Sequence, residues 1–428
     1  METPEGKNSH KSQKLAIISA CFGSLSSIMI RESAIIILFA GMLGASSMLA
    51  MTTTALSSIM ACLFSLPAAY IAAKVGYKRL ILKATYLGAL VIFLLALSPY
   101  LNSWGKYGMM FCLISFGCLM TLYSSAWFPF LDEFLPKKER SNFFGMLRFS
   151  WQTCCVIFFL ICGLIMGKNP ELWVLQAIII FTAIALFGRA YFVIKIKVNE
   201  ADRKKPKNFR VGLEMVLANK PLVGFSVYLA FLYLVAQGTV PLTYIYLKNH
   251  LHTPDNIVVI VSSLALAGTI IGFLCSGKII NRLGVKKMLL AVHIAFALIN
   301  FMLFIFSGAG TTSLVIITVL LVCYGFFLST SSVAVTSEMM ALANPDNKAL
   351  AMAFCVTMYS AGVGGARLLS SLIIGSGILA SEWSIGAMNF TMFHTMYLGY
   401  GIGILFVCML LVIVPAVFPK GEYHYVSQ

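Results

Sequence analysis

The sequence predicts an all-α membrane protein of twelve transmembrane helices, arranged as two six-helix bundles related by a pseudo-two-fold axis. Three observations carry this. Of the 428 residues 60% are hydrophobic and only 11% charged, where a soluble domain needs about a quarter of its residues charged. The apolar residues form twelve long continuous runs, and the basic residues between them sort almost wholly to one side.

A helix crossing a hydrocarbon core of about 30 Å needs about 20 apolar residues. After a polar start at 1–14, with no signal-like cleavage site, such runs occupy 15–40, 44–72, 80–100, 107–131, 142–167 and 172–195. The longest hydrophilic break, 196–220, follows. The second set is 221–247, 256–280, 287–307, 313–338, 349–376 and 390–418, before a polar tail at 419–428. The chain is thus expected to fold as a bundle over 15–195, a linker over 196–220 and a second bundle over 221–418. Lipid tolerates only helices or closed barrels, because unpaired backbone groups cannot be hydrated there, and runs this long are not the alternating ten-residue strands of a barrel.

Charge tests the count. With both termini, the linker and every even-to-odd connection placed in the cytoplasm, 24 of the 31 Lys and Arg lie on that side. Lys106, Lys168 and Lys248 lie opposite, and Arg31, Arg148, Arg189 and Arg367 fall within spans. A missed helix would scramble this positive-inside pattern. The expected location is therefore a cell (inner) membrane, with both ends cytoplasmic. The charge of +16 fits that topology and the anionic headgroups beside the linker. Nucleic acid is excluded as a partner, because no basic soluble face exists to bind it.

Two connections match across the halves at a constant offset of 208 residues. One runs Ala69 to Arg79 and includes Ala73, Lys74, Gly76, Lys78 and Arg79. The other runs from Gly277 through Asn281, Arg282 and Gly284 to Lys286 and Lys287. Gly76 and Gly284 suit the left-handed position that ends a helix. Gly277, with Gly268 and Gly272, suits close approach of a neighbouring helix. Six-helix parallel repeats are a transporter architecture.

These turns resemble the signature of the major facilitator superfamily, Gly-x-x-x-acid-basic-x-Gly-x-basic-basic, found between helices two and three and echoed between eight and nine. The match departs at Ala69 for the first Gly, and at Ala73 and Asn281 for the acid, which in the family latches the bundles together. Glu133 to Arg140, through Pro136, resembles the family's acid-Pro-Arg connection. The resemblance implies a secondary active transporter working by alternating access, with a midplane site lined by helices 1, 4, 7 and 10. The fifth helix carries Trp151-Gln152 in place of the Gly-Pro motif of drug/proton antiporters, which favours uptake. The expected function is ion (proton)-coupled uptake of an organic anion or sugar. The alternatives are a multidrug or metabolite efflux carrier of the same fold, or an integral membrane enzyme or channel.

Ionisable residues at bilayer depth are costly and default to function. Arg31 is expected to anchor substrate and Glu32 to exchange the proton, although neighbours on a helix point about 100° apart, so one of them is free to meet helix 5 or 11 instead. Arg367, after Gly362, Gly364 and Gly365, is placed to meet Glu32 or a substrate anion. Trp127, Trp151, Gln152, Gln237, Tyr324 and Tyr359, with Tyr123 and Tyr233, are candidate substrate readers; each could instead be packing or interface belt. Arg148 and Arg189 read as structural residues that snorkel to the nearby boundary. Glu338, Asp132 and Glu133 are expected to pair with Lys74 or Arg282 as a cytoplasmic gate, joined by Arg140 and the repeated turns.

The eleven cysteines lie in apolar runs without CxxC or zinc spacing, and read as small packing residues. His250-x-His252 lies in an outer loop, and His293 and His394 are isolated. The sequence therefore implies no cofactor, no metal and no enzyme. The expected partners are a small solute, a proton or sodium ion and the lipid bilayer, and the expected state is a monomer.

Overall fold

The computed structural model describes residues 4–136, 139–198, 209–308, 310–343, 347–386 and 388–413. Among them, ten helical stretches are long and apolar enough to cross a membrane. Two of these, Tyr77–Asp132 with 56 residues and Asp255–Phe306 with 52, are double crossings, which accommodates the twelve expected.

The first half comprises α1 (Pro4–Arg31), α2 (Ile35–Met42), α3 (Ser47–Val75), α4 (Tyr77–Leu97), α5 (Gly105–Asp132), α6 (Arg140–Ile165) and α7 (Leu172–Lys195). A short helix in the linker, α8 (Phe209–Ala218), leads to α9 (Lys220–Ala236), α10 (Thr239–Ile245), α11 (Asp255–Phe306), α12 (Thr311–Leu342), α13 (Lys348–Ser376) and α14 (Met392–Ile413). The α11 helix is not straight: Ala265 and Phe296 both contact α12 at residues 324–325, although a continuous helix would hold them about 46 Å apart. The chain folds back at Gly284, whose φ is 74° and ψ 161°. Its repeat partner Gly76 has φ 113° and ψ 129°. Both glycines take the positive φ expected of them, but their ψ values lie outside the left-handed helical well, in a region that side chains disfavour more strongly.

Packing repeats between the halves. In the first, α1 packs on α6 and α7, α3 on α5, and α4 on α5 and α7. In the second, α9 packs on α13 and α14, and the two arms of α11 pack on α12 and α14. The halves meet through α3 against α13 and α6 against α11, and a two-fold exchange of halves converts one contact into the other. Backbones touch where side chains vanish: a Cβ on Gly268 would lie 2.0 Å from the Val322 carbonyl oxygen, whereas one on Gly277 would meet nothing within 4 Å. Close approach is thus the role of Gly268 and Gly272, and the expectation for Gly277 is corrected.

Three departures from unbroken crossings bear on function. The first crossing breaks at residues 32–34, between α1 and α2. The seventh breaks at Gln237–Gly238, between α9 and α10, and ends in a wide π turn over Tyr246–His250. Between α13 and α14 an antiparallel hairpin, β1 (Glu382–Ile385) with β2 (Met388–Thr391), pairs Trp383 with Phe390. Phe390 stacks on Phe304 at 4.8 Å and on Trp383 at 4.7 Å, which fastens the hairpin over the end of α11. The expected polar tail at 419–428 lies outside the described residues, as do residues 199–208 of the linker.

Candidate functional site: an arginine-lined cavity between the halves

Both broken crossings end inside the molecule, leaving carbonyl groups without helical partners. Such ends carry partial negative charge. Arg367 of α13, buried to 5% exposure, meets them. Its Nη1 donates to the carbonyl of Arg31 at 2.9 Å and of Thr54 at 2.8 Å, and its Nε donates to that of Gln237 at 3.4 Å. One guanidinium therefore ties the end of α1, the end of α9 and the wall of α3. Tyr324 of α12 adds a hydrogen bond to the Ala236 carbonyl. The first break has no Pro or Gly to announce it. It is held by Arg367 from outside and by the Ser33 hydroxyl, which accepts from the Ile35 amide at 3.3 Å.

Around this knot lies a cavity of about 510 Å³. The nine predicted substrate residues, Arg31, Glu32, Trp127, Trp151, Gln152, Gln237, Tyr324, Tyr359 and Arg367, all stand on its wall, with Tyr123 and Tyr233. Arg31 and Glu32 both reach it because α1 ends at Arg31, so the 100° step of a continuous helix does not apply to Glu32. Among the described residues neither side chain has a hydrogen-bond or ion-pair partner. Among the described residues Glu32 is the one carboxylate on the wall, within electrostatic reach of Arg367, Tyr244 and Tyr359.

Sequence reasoning missed two wall residues. Arg189 and Arg148, expected to snorkel, instead line the cavity. Arg189 is 4% exposed; its guanidinium lies over the Tyr123 ring at 4.1 Å, and its Nε has no hydrogen-bond partner among the described residues. Arg148 lies over Phe273 of the opposite half at 5.5 Å. Distance to a boundary along the helix suggested snorkelling, but both side chains turn inward. All four arginines within spans therefore share one chamber.

The other readers are more committed to their own surroundings. The Tyr233 hydroxyl pairs with that of Ser331 at 3.3 Å, and its ring packs edge-on to Tyr359 at 4.4 Å. Gln152 donates to the Leu266 carbonyl at 3.4 Å, and Tyr123 stacks on Trp127 at 5.4 Å.

The chamber is sealed on one side. At the face remote from the linker, Ser371 donates to the Met48 carbonyl at 2.7 Å and pairs with Thr52 at 2.7 Å. There too Asn249 donates to Ser47 at 2.8 Å and the Asp255 amide to the Lys168 carbonyl at 3.0 Å. Each bond joins one half to the other. Toward the linker face the wall continues through Phe128, Leu147, Phe273, Thr336 and Met339, and Phe128 is 52% exposed.

The repeated turns lie at that linker face, away from the cavity wall. Lys74, Arg79, Asn281, Arg282 and Lys287 are exposed. Lys78 donates to the carbonyls of Ile194 at 2.9 Å and Ile196 at 2.7 Å, capping α7, and Lys286 is exposed. Asp132 and Glu133 are exposed and Glu338 is buried. Among the described residues Lys74 and Arg282 form no ion pair, so the expected pairing with these carboxylates is not made here. A latch across an open face would be parted in this way. Arg140 opens α6, but its side chain, like Lys137 and Lys138, lies outside the described residues.

Residues 17–367 match the sequence family described as the Major Facilitator Superfamily. The chain belongs to that superfamily. It is accordingly a multi-pass membrane transporter, not an enzyme. No match is found among curated protein sequences. Solved major facilitator structures share the fold at low identity. A point mutant of the nucleoside transporter NupG is 13% identical with a TM-score of 0.73, over 96% of this chain and 100% of that one. A D-xylose-proton symporter is 11% identical with a TM-score of 0.73, over 96% and 99%. FucP in the outward conformation is 14% identical with a TM-score of 0.62, over 94% and 97%.

Proposed function

We propose that this protein carries a small organic anion across a cell membrane, coupled to a proton through Glu32, and that the structure represents its inward-facing state. The observation supporting this is the charge of the chamber: four arginines face one carboxylate. A neutral solute gives no reason to hold so much positive charge at bilayer depth, where each group is expensive. An anion does, because it supplies the missing partner.

The direction follows from basic residues. Twenty-four of them belong to the linker face in the expected topology, which makes that face cytoplasmic and the sealed face external. The hydrogen bonds at Met48, Thr52, Ser47 and Lys168 are then the closed outer gate. Reorientation breaks them and brings the linker faces of the halves together, where Lys74 and Arg282 can meet Asp132, Glu133 or Glu338.

Coupling needs no relay. Protonation of Glu32 removes the one negative charge that the described residues place on the wall and raises the affinity of Arg31 for an anion. The anion and proton therefore enter together from the more acidic side. Release of the proton to the cytoplasm restores the carboxylate, which repels the anion. A sodium ion seated at Glu32 would serve in the same way.

The test is uptake into proteoliposomes, with organic acids, sugars and nucleosides offered in turn, with and without an inward proton gradient. Arg31→Gln should lower uptake of the true substrate by about 100-fold, the cost of losing one partner of a buried charge pair, while the protein still folds. Robust uptake of a neutral sugar, unaffected by Arg31→Gln, contradicts the proposal.

A further inference from the structure

The arginines do not form one cluster. Arg367 is pinned at the end of α1 by its bond to the Arg31 carbonyl. Arg189 is pinned two turns earlier, because a Cβ built on Gly23 of the same helix would fall 1.3 Å from its Nε. Eight residues of α1 separate those levels, or about 12 Å of rise. Arg148, eight residues into α6, stands on the cytoplasmic side of the chamber as Arg189 does, and Arg31 lies with Arg367 at the outer end. The chamber thus has two cationic poles, with Tyr123, Trp127 and Trp151 on the wall beside them.

The poles differ in what satisfies them. At the outer pole Arg367 is occupied by three carbonyls and Glu32 is near. At the inner pole no carboxylate among the described residues stands on the wall. The inner pair has ring faces for partners, Tyr123 for Arg189 and Phe273 for Arg148. Among the described residues Arg189 Nη1 has only the weak Met120 sulfur acceptor at 3.9 Å, and its Nε has none. A buried guanidinium in that position is poorly compensated by the protein alone. It is aimed into a ligand chamber, and a ligand anion is its natural counter-ion.

Resting on the anion reading above, we propose that the substrate is an organic dianion with its two anionic groups apart, one held at Arg31 and the other at Arg189, with Arg148 adding positive charge on that side. Guanidinium forks bind carboxylates and phosphates in two parallel bonds, so each pole suits one such group. The apolar and aromatic wall between the poles takes the body of the molecule. A monoanion fills one pole and leaves the other uncompensated, so the site discriminates by charge number as well as by sign.

The test uses purified full-length protein and calorimetric binding of straight-chain dicarboxylates, from four to ten carbons, beside monocarboxylates of equal length. The best dicarboxylate should bind about 10- to 100-fold more tightly than its monocarboxylate match, the gain from a second charge-assisted hydrogen-bonded pair. Arg189→Gln should bring that ratio toward one by weakening the dicarboxylate, with a far smaller change for the monocarboxylate. Arg148→Gln, which disturbs less packing, repeats the measurement if Arg189→Gln fails to fold. A wild-type ratio near one, or equal weakening of both ligands by the variants, overturns the two-pole substrate while leaving the anion carrier standing. Failure of every carboxylate to bind, alongside binding of a neutral solute, overturns both.

Discussion

The two halves share a packing plan but contribute differently to the chamber. The first half supplies Arg31, Glu32, Arg148 and Arg189, and among the described residues the side chains of the first two have no hydrogen-bond or ion-pair partner. The second half supplies Arg367, Tyr233 and Tyr324, whose polar atoms already bond to carbonyls or to Ser331. The difference teaches that a duplicated scaffold need not duplicate its chemistry. In the proposed mechanism the first half holds charge, and the second holds the broken helices in place and completes the shape.

The comparison breaks most readily at Arg367, a second-half residue that both lines the chamber and builds it. Arg367→Gln leaves the carbonyls of Arg31 and Gln237, at the two helix breaks, short of a donor. The expected loss is about 3 kcal/mol or more of stability, read as a lowered melting temperature in detergent, with transport abolished. If Arg367→Gln kept full stability, the guanidinium would be a ligand group and the division of labour would fail. Next in size is Glu32→Gln. It should abolish accumulation driven by a proton gradient while substrate exchange between equal compartments persists, because the neutral side chain mimics the protonated state.

The crossings were legible because the bilayer demands long apolar runs, and the half-chain offset of Gly76 and Gly284 made the duplication visible. The wall residues on α1, α5, α6 and α12 were legible because an Arg, Glu, Gln or Trp within such a run has few other uses. The breaks were less so. At residues 32–34 no Pro or Gly marks the end of α1, and the stabilising donor lies 336 residues away in sequence. Gly238 and Pro241 stand at the seventh break, but the apolar run over 221–247 continues past them and reads as one crossing. Arg148 and Arg189 were misread because periodicity fixes which residues share a face, not which neighbour that face meets. The hairpin at 382–391 was hidden by its short strands, which gain order from Phe304 rather than from their own composition.

Smaller effects sharpen the same comparison. Trp151→Ala, in the first half, should weaken substrate binding by roughly tenfold, in line with the loss of a stacked aromatic contact. Tyr233→Phe, in the second, removes a hydroxyl already bonded to Ser331. It should cost about 1 kcal/mol of stability and change substrate affinity by no more than about threefold. Lys78→Ala, remote from the chamber, should lower stability by about 0.5–1 kcal/mol through loss of its cap on α7, with transport unaltered.

The sign of the chamber is the central claim, and binding to a charge-matched pair tests it most directly. Purified protein is titrated with an organic acid that it transports and with the neutral amide of that acid, which has nearly the same shape. The account predicts that the acid binds about 100-fold more tightly or better. Equal binding of acid and amide would show that the four arginines serve the fold alone, and would contradict it.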